Sequence, residues 1–266
     1  MADPASPRTA EVNGRLWGAR ARDYAEAQEG QFGPGYDAVL ARTGVGPGTR
    51  LLDVGCGAGK AAQRAAALGA SVSGIDAASA LLDIARERTP GGDFRTGDME
   101  DLPFPDLGFD VVTGFNAFQY AGNPVRALTE ARRVTRSGGL VAVFTWGRPE
   151  GMEAASLVTA LRPLLPPPPP GAPGPFALSD PDRLSDFVAQ AGLTPREVIE
   201  GDALWTYPDE ATGVRGLSAT GIAIRAIGLV GEAAVTAAHA AALAPFRQPD
   251  GSYRIGARYM AVLALA

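Results

Sequence analysis

One decapeptide restricts the fold of this chain more than any other: LLDVGCGAGK, residues 51–60. Its apolar half reads as a short buried strand. The strand closes on an acid, Asp53, and runs into Gly55, Gly57 and Gly59. Glycines clustered after a strand let the backbone turn sharply and approach a ligand closely. KAAQRAAALG follows as an Ala-rich helix that stops at Gly69.

The same alternation continues downstream. ASVSGID, DFRTGD, FDVVTGFNAFQY and LVAVFTW read as strands. SALLDIARERTPGG and PVRALTEARRVTRSGG read as the helices between them, the second opening on Pro124. Strands alternating with helices of this length predict βαβ units, a parallel sheet and helices on both faces. Before this core, RLWGARARDYAEAQ and YDAVLARTG look helical. After it, DPDRLSDFVAQAGL reads as a helix, TPREVIEGDALWTY as a strand, residues 209–245 as helix and GSYRIGARYMAVLAL as a last strand. Five consecutive prolines, Pro166 to Pro170, fit neither a helix interior nor a central strand. Residues 163–175 are therefore expected to form a poorly ordered surface spacer.

Three chemistries compete for the glycine loop. A phosphate-binding P-loop needs G-x-x-x-x-G-K-[ST]. Here Val54 stands where its first glycine belongs and Ala61 where Ser or Thr belongs. A dinucleotide fingerprint needs G-x-G-x-x-G. Gly55 and Gly57 fit it, but Lys60 occupies the third position. The third ligand is S-adenosylmethionine (SAM), an adenosine without a pyrophosphate. An acid at Asp53 suits its ammonium group and would repel a pyrophosphate. Asp76 ends the second strand, where a carboxylate accepts hydrogen bonds from ribose hydroxyls. NAD enzymes share that feature. Asp98 ends the third strand, placed for an adenine amino group, with Met99 against the ring.

LLDVGCGAG, VSGID, GDMEDLPFPDLGFDVV and SGGLVAVFTW, in this order and spacing, resemble the class I SAM-dependent methyltransferases, of the type that methylates quinones and other small molecules. The resemblance spans residues 48–147 and is looser elsewhere. It implies an α/β, Rossmann-like, seven-stranded, mostly parallel sheet with an antiparallel last strand, a helical N-terminal segment and a helical lid. The organisation it implies is an N-terminal cover (1–45), a SAM-binding core (46–150), a Pro-rich linker (151–178), completion of the sheet (179–208 and 247–266) and the lid (209–246). By the same resemblance, Asp53, Gly55 and Gly57 line the methionine part of SAM, Asp76 binds ribose, and Asp98 and Met99 bind adenine. Asn116 faces the sulfonium, and Trp17 and Tyr24 close over the cofactor. Asn116, Gln119, Tyr120 and His239 are the catalytic candidates. Phe32, Phe118 and Arg225 are the candidates for the acceptor. S-adenosylhomocysteine would be the product. Two alternatives stay open: a cyclisation on the same fold, or a SAM-binding scaffold without catalysis.

Composition narrows the partners. A net charge of -5 with no basic run argues against nucleic acid. Cys56 is the one cysteine, so no intrachain disulfide forms; a small filler between glycines is expected there. The N-terminal residues lack the apolar core of a signal peptide. The soft apolar stretch 217–246 is interrupted every seven residues by Arg225, Glu232 and His239, a spacing that predicts one polar, solvated helix face. The reading is a bacterial, cytoplasmic protein with a small-molecule acceptor, no metal and no membrane, as monomer or homodimer. The five glycines within 209–245 predict a soft lid.

Overall fold

The computed structural model describes residues 8–167 and 174–266. Its strands are β1 (Arg50–Val54), β2 (Ser71–Asp76), β3 (Asp93–Thr96), β4 (Phe109–Phe115), β5 (Thr135–Trp146), β6 (Thr194–Tyr207) and β7 (Tyr253–Leu265). They form one sheet in the order β3-β2-β1-β4-β5-β7-β6. β1 to β5 pair in parallel, and β7 runs antiparallel to both β5 and β6. This is the expected Rossmann-like sheet with its antiparallel last strand.

The helices are α1 (Thr9–Gly18), α2 (Ala21–Ala27), α3 (Gly33–Arg42), α4 (Lys60–Ala67), α5 (Ser79–Arg88) and α6 (Pro124–Val134), then α7 (Ala154–Thr159), α8 (Pro181–Ala189), α9 (Glu210–Leu217), α10 (Gly221–Val230) and α11 (Glu232–Leu243). They cover both faces, and Leu51, Leu52 and Val54 of β1 and residues 141–144 of β5 are accordingly apolar and buried. On one face Leu128 and Ala131 of α6 and Leu184 and Val188 of α8 pack on Val112, Val141 and Val262. On the other, Leu40, Ala62, Ala65, Leu82 and Ala85 pack on Leu51, Val72 and Val111. α6 stops sooner than TRSGG suggests. The Thr135 hydroxyl donates to the Ala131 carbonyl at 2.7 Å, and the chain is already extended there, opposite Phe109.

Three expectations change. The polar stripe does not exist, because Gly231, at φ +85°, breaks the segment between α10 and α11. Arg225 is exposed and Glu232 pairs with Arg20 at 2.7 Å, but His239 is buried. The Pro-rich segment lies partly outside the described residues. Of its described part, Leu164 and Leu165 pack against Leu161, Ala223, Ala226 and Val235, so that part is joined to the α10–α11 unit. No single described helix is long and apolar enough to cross a membrane, and α9 and α10 meet at 91°.

The third change concerns the glycines of 209–245. A Cβ at Gly216 would lie 3.0 Å from the Ala27 Cβ and 3.2 Å from its backbone. At Gly221 it would meet the Trp17 indole nitrogen at 2.6 Å, and at Gly213 Leu243 at 2.9 Å. These three glycines permit close packing on α2, Trp17 and α11; only Gly228 and Gly231 face open space. Gly216→Ala tests this. Helix propensity alone predicts a gain of about 1 kcal/mol. Overpacking predicts a loss of about 1–3 kcal/mol, and we expect the loss, read by chemical denaturation.

Candidate functional site

The order of the strands reverses between β1 and β4, and open α/β sheets bind ligands outside the carboxyl ends at such a point. A cleft opens there. Gly55, Gly57, Asp76, Asp98, Met99 and Asn116 line it, and Trp17 and Tyr24 of the N-terminal helices close it. The edge of Trp17 meets Tyr24 at 5.4 Å and Tyr120 at 5.8 Å between ring centroids. Tyr120 and Phe32 also line the cleft, so the structure brings ten of the residues singled out in the sequence to one place.

The loop requires its glycines. Gly55 and Gly57 adopt φ +67° and +55°, where side chains are strained. A Cβ on Gly55 would stand 2.6 Å from the Ala117 Cβ, and one on Gly57 3.2 Å from the Glu29 carboxylate. Gly59 takes the close contact with Ala85 of α5, 2.8 Å from a Cβ at that position. It therefore does the helix-packing work of a third fingerprint glycine from one position earlier.

The electrostatics of the cleft are one-sided. Glu29, Asp76, Asp98 and Glu100 line it, and no Lys, Arg or His among the described residues does. Asp76 accepts the backbone N–H groups of Gly57 at 2.9 Å and Ala78 at 2.8 Å, which fixes the loop and leaves lone pairs on both oxygens. Burial raises its pKa. Asp98 accepts the Glu100 N–H at 2.9 Å. Glu29 is 5% exposed, accepts the Lys60 N–H at 3.3 Å and pairs with Arg88 from behind the loop. Burial raises its pKa as well, against the pull of Arg88. A cradle that only glycine fits, in a cleft lined by four carboxylates of which Glu29 alone pairs with a cation among the described residues, fits a cationic nucleoside such as SAM and opposes a pyrophosphate. No group of three or more His, Cys, Asp or Glu among the described residues is arranged to hold a metal.

Several singled-out residues lie elsewhere. Asp53 is 1% exposed, beneath the loop, where the Thr113 hydroxyl donates to it at 2.8 Å. Burial, with Glu29 and Asp76 nearby, pushes its pKa up to about 7. It does not line the cleft, so the structure moves it from contact with an ammonium to a charge under the floor. Phe118 is fully buried in the core against Gly114 and Leu128, because the turn Phe118–Tyr120 tucks it under the sheet. Gln119 is outside the lining and donates to the Asn116 side chain at 3.2 Å. Asn116 itself holds φ +50°, a conformation that Asn tolerates better than most residues. Arg225 points to solvent because α10 turns Gly221, Ala223 and Ala226 inward. His239 is 2% exposed, its Nδ1 3.0 Å from the Ser218 hydroxyl. Burial lowers its pKa to about 4. It joins α11 to the end of α9 and is not among the lining residues.

The sequence reading missed Gln28, Glu29, Tyr36, Phe115 and Trp146, all of which line the cleft. Nothing in AEAQEGQF separates Glu29 from Glu26. Trp146 carried a signal, as the aromatic at the carboxyl end of a strand.

Residues 52–143 match a family model described as a methyltransferase domain. Over 111 residues the chain is 36% identical to a demethylmenaquinone methyltransferase of Renibacterium salmoninarum, covering 42% of this chain and 47% of that one. Over 155 residues it is 34% identical to a ubiquinone biosynthesis O-methyltransferase of Cereibacter sphaeroides, covering 56% and 61%. The chain thus spans about half the length of these curated relatives. Among solved structures it is similar to a [4+2]-cyclase, SpnF, with a TM-score of 0.59, 20% identity and coverage of 98% and 97%. At that identity the likeness concerns the fold alone.

Proposed function

We propose that this chain, whose residues 52–143 match a family model described as a methyltransferase domain, belongs to a protein that moves a methyl group from SAM to a small-molecule acceptor. The observation that carries the ligand is the cleft with four carboxylates and no basic side chain among the described residues. SAM bears a sulfonium and NAD a pyrophosphate, so this field favours the first and opposes the second. The names of the similar quinone methyltransferases support a small acceptor.

In this reading Asp76 accepts the ribose hydroxyls, and Asp98 and Met99 hold the adenine. Gly55 and Gly57 let the backbone meet the methionine part. Trp17 and Tyr24 exclude water from above, and Asn116 faces the reacting end. Bound SAM supplies a methyl already activated by its sulfonium. The chain's own residues then have to align the acceptor and keep the site dry, and alignment alone is worth roughly 7–11 kcal/mol. Residues 209–246 act as the lid, joined to the cleft through Thr220 and through Gly221 on Trp17.

Calorimetry with SAM and NAD tests the ligand. SAM is expected to bind at micromolar concentration and NAD not to bind. Asp76→Ala is expected to weaken SAM about tenfold to a hundredfold by removing buried acceptors. Tight NAD binding without a SAM signal would overturn the reading. Release of S-adenosylhomocysteine with an acceptor separates methyl transfer from a cyclisation that leaves SAM intact.

A further inference from the structure

The cleft changes character along the sheet. Asp76 ends β2, and Asp98 and Glu100 follow β3. Over the ends of β4 and β5 the lining is aromatic: Phe115, Trp146, and Phe32 and Tyr36 around the start of α3. Phe32 meets Trp146 at 5.0 Å between ring centroids, and Tyr36 meets Phe115 at 4.7 Å. Glu29 joins the two characters. It lines the cleft on the same short turn as Phe32, and the Tyr36 hydroxyl donates to its carbonyl at 2.8 Å. Burial, then the charges of Glu29 and Asp53, hold the Tyr36 phenol well above its usual pKa range. The acids are therefore felt at the aromatic end.

Resting on the methyltransferase reading, we infer that this aromatic end takes an amine as methyl acceptor, bound as its ammonium and methylated on nitrogen. Charge is the first reason. Of the four lining acids Glu29 alone pairs with a cation among the described residues, so an excess of negative charge outlasts the one net positive charge of SAM. Such a cleft attracts an ammonium and repels a carboxylate, a phosphate or a phenolate. The walls are the second reason, because aromatic rings attract a cation through their π faces. The nucleophile is the third. A phenol has to ionise before it attacks, against the same burial and acids that keep Tyr36 protonated. An amine needs only its neutral form. Beside a sulfonium the ammonium is disfavoured, so the bound amine gives its proton to water. The nitrogen lone pair then bonds the methyl carbon, and the electron pair of the broken carbon–sulfur bond stays on sulfur. Positive charge passes to nitrogen, where the rings and the acids stabilise it. The products are an N-methylammonium and S-adenosylhomocysteine.

The test uses the full chain saturated with S-adenosylhomocysteine, at neutral pH, in equilibrium dialysis with three probes of similar shape: 2-phenylethylamine, 2-phenylethanol and 3-phenylpropionate. The amine is expected to bind at least about tenfold more tightly than the carboxylate and about threefold more tightly than the alcohol. Trp146→Leu keeps an apolar wall and removes a π surface. It is expected to weaken the amine about threefold to tenfold and the alcohol less than about twofold. Binding of the alcohol or the carboxylate as tight as that of the amine would overturn the proposal. So would equal losses of amine and alcohol in Trp146→Leu, or no amine binding at all. A SAM titration on the same samples separates the two levels. Absent SAM binding sinks the methyltransferase reading, whereas normal SAM binding beside those results sinks only the amine site. If Trp146→Leu fails to fold, the contrast among the three probes in the unsubstituted protein still decides.

Discussion

Arg88→Ala is expected to destabilise the protein by about 3–5 kcal/mol, the cost of breaking a buried ion pair from one side. Arg88 sits at the carboxyl end of α5, where the helix dipole favours a cation. Its guanidinium pairs with the Glu29 carboxylate and donates to the carbonyls of Ala58 and Ala25, each at 2.8 Å. One side chain thus ties α5, the glycine loop and the N-terminal cover together. The pair is largely withdrawn from water, at 18% and 5% side-chain exposure, so solvent screens it little. Alanine strands the buried Glu29 charge and frees two carbonyls. For a chain of this size each kcal/mol moves Tm by about 2–4 °C, so a fall of roughly 6–20 °C follows.

The companion variants identify the cause. Arg88→Lys keeps the charge but not the fork that reaches three acceptors, and a smaller loss is expected. Glu29→Gln in the Arg88→Ala background removes the stranded charge and should recover part of the stability. If the double variant is as unstable as the sum of the singles, the two residues act independently and the tie does not exist. SAM affinity should fall with stability in Arg88→Ala, because the cover and the loop lose their common anchor.

What was legible in the sequence is what the backbone itself dictates. Asp76 ends β2, Asp98 lies just beyond β3, and Gly55 and Gly57 mark the turn after β1, so spacing along the chain was enough. Asp53 fits that pattern equally well, yet it lies inside β1, which is buried on both faces, beside Thr113 on the neighbouring strand. The rest depends on contacts distant in the sequence. Glu29 is held in the cleft by Arg88, 59 residues away, and by the Lys60 N–H, 31 residues away. Gly216 and Gly221 read as soft spots in isolation. They become packing contacts once α2 and Trp17 lie against them. His239 reads as a candidate base by composition alone, and its burial behind Ser218 takes it out of the cleft.

Asp53→Asn is expected to make the ligand-free protein more stable and a poorer binder of SAM. The Thr113 hydroxyl that donates to Asp53 can donate equally to the side-chain oxygen of asparagine, so the substitution leaves that bond in place. What it removes is a charge held without a cation beside it. The folded-state pKa is raised from 3.8 to about 7, so the folded protein binds this proton more tightly than the unfolded chain does. Stability from this group is therefore fully present below pH 4, declines as pH rises to about 7, and stays low above it. The span corresponds to roughly 4 kcal/mol. Denaturation of the two proteins should then give similar stabilities near pH 4, with Asp53→Asn ahead by up to about that amount at pH 8. Ligand binding should show the opposite order. SAM carries a sulfonium that S-adenosylhomocysteine lacks, and a carboxylate under the floor favours the charged form. SAM affinity of the unsubstituted protein should rise between pH 6 and 8 as Asp53 ionises. In Asp53→Asn that rise should shrink, and SAM should bind about tenfold more weakly at pH 8 while S-adenosylhomocysteine changes little. Equal losses for the two ligands would make Asp53 a support for the loop's shape. No loss for either would leave it a residue of the core, with the discrimination between them resting on Glu29, Asp76 and Asp98.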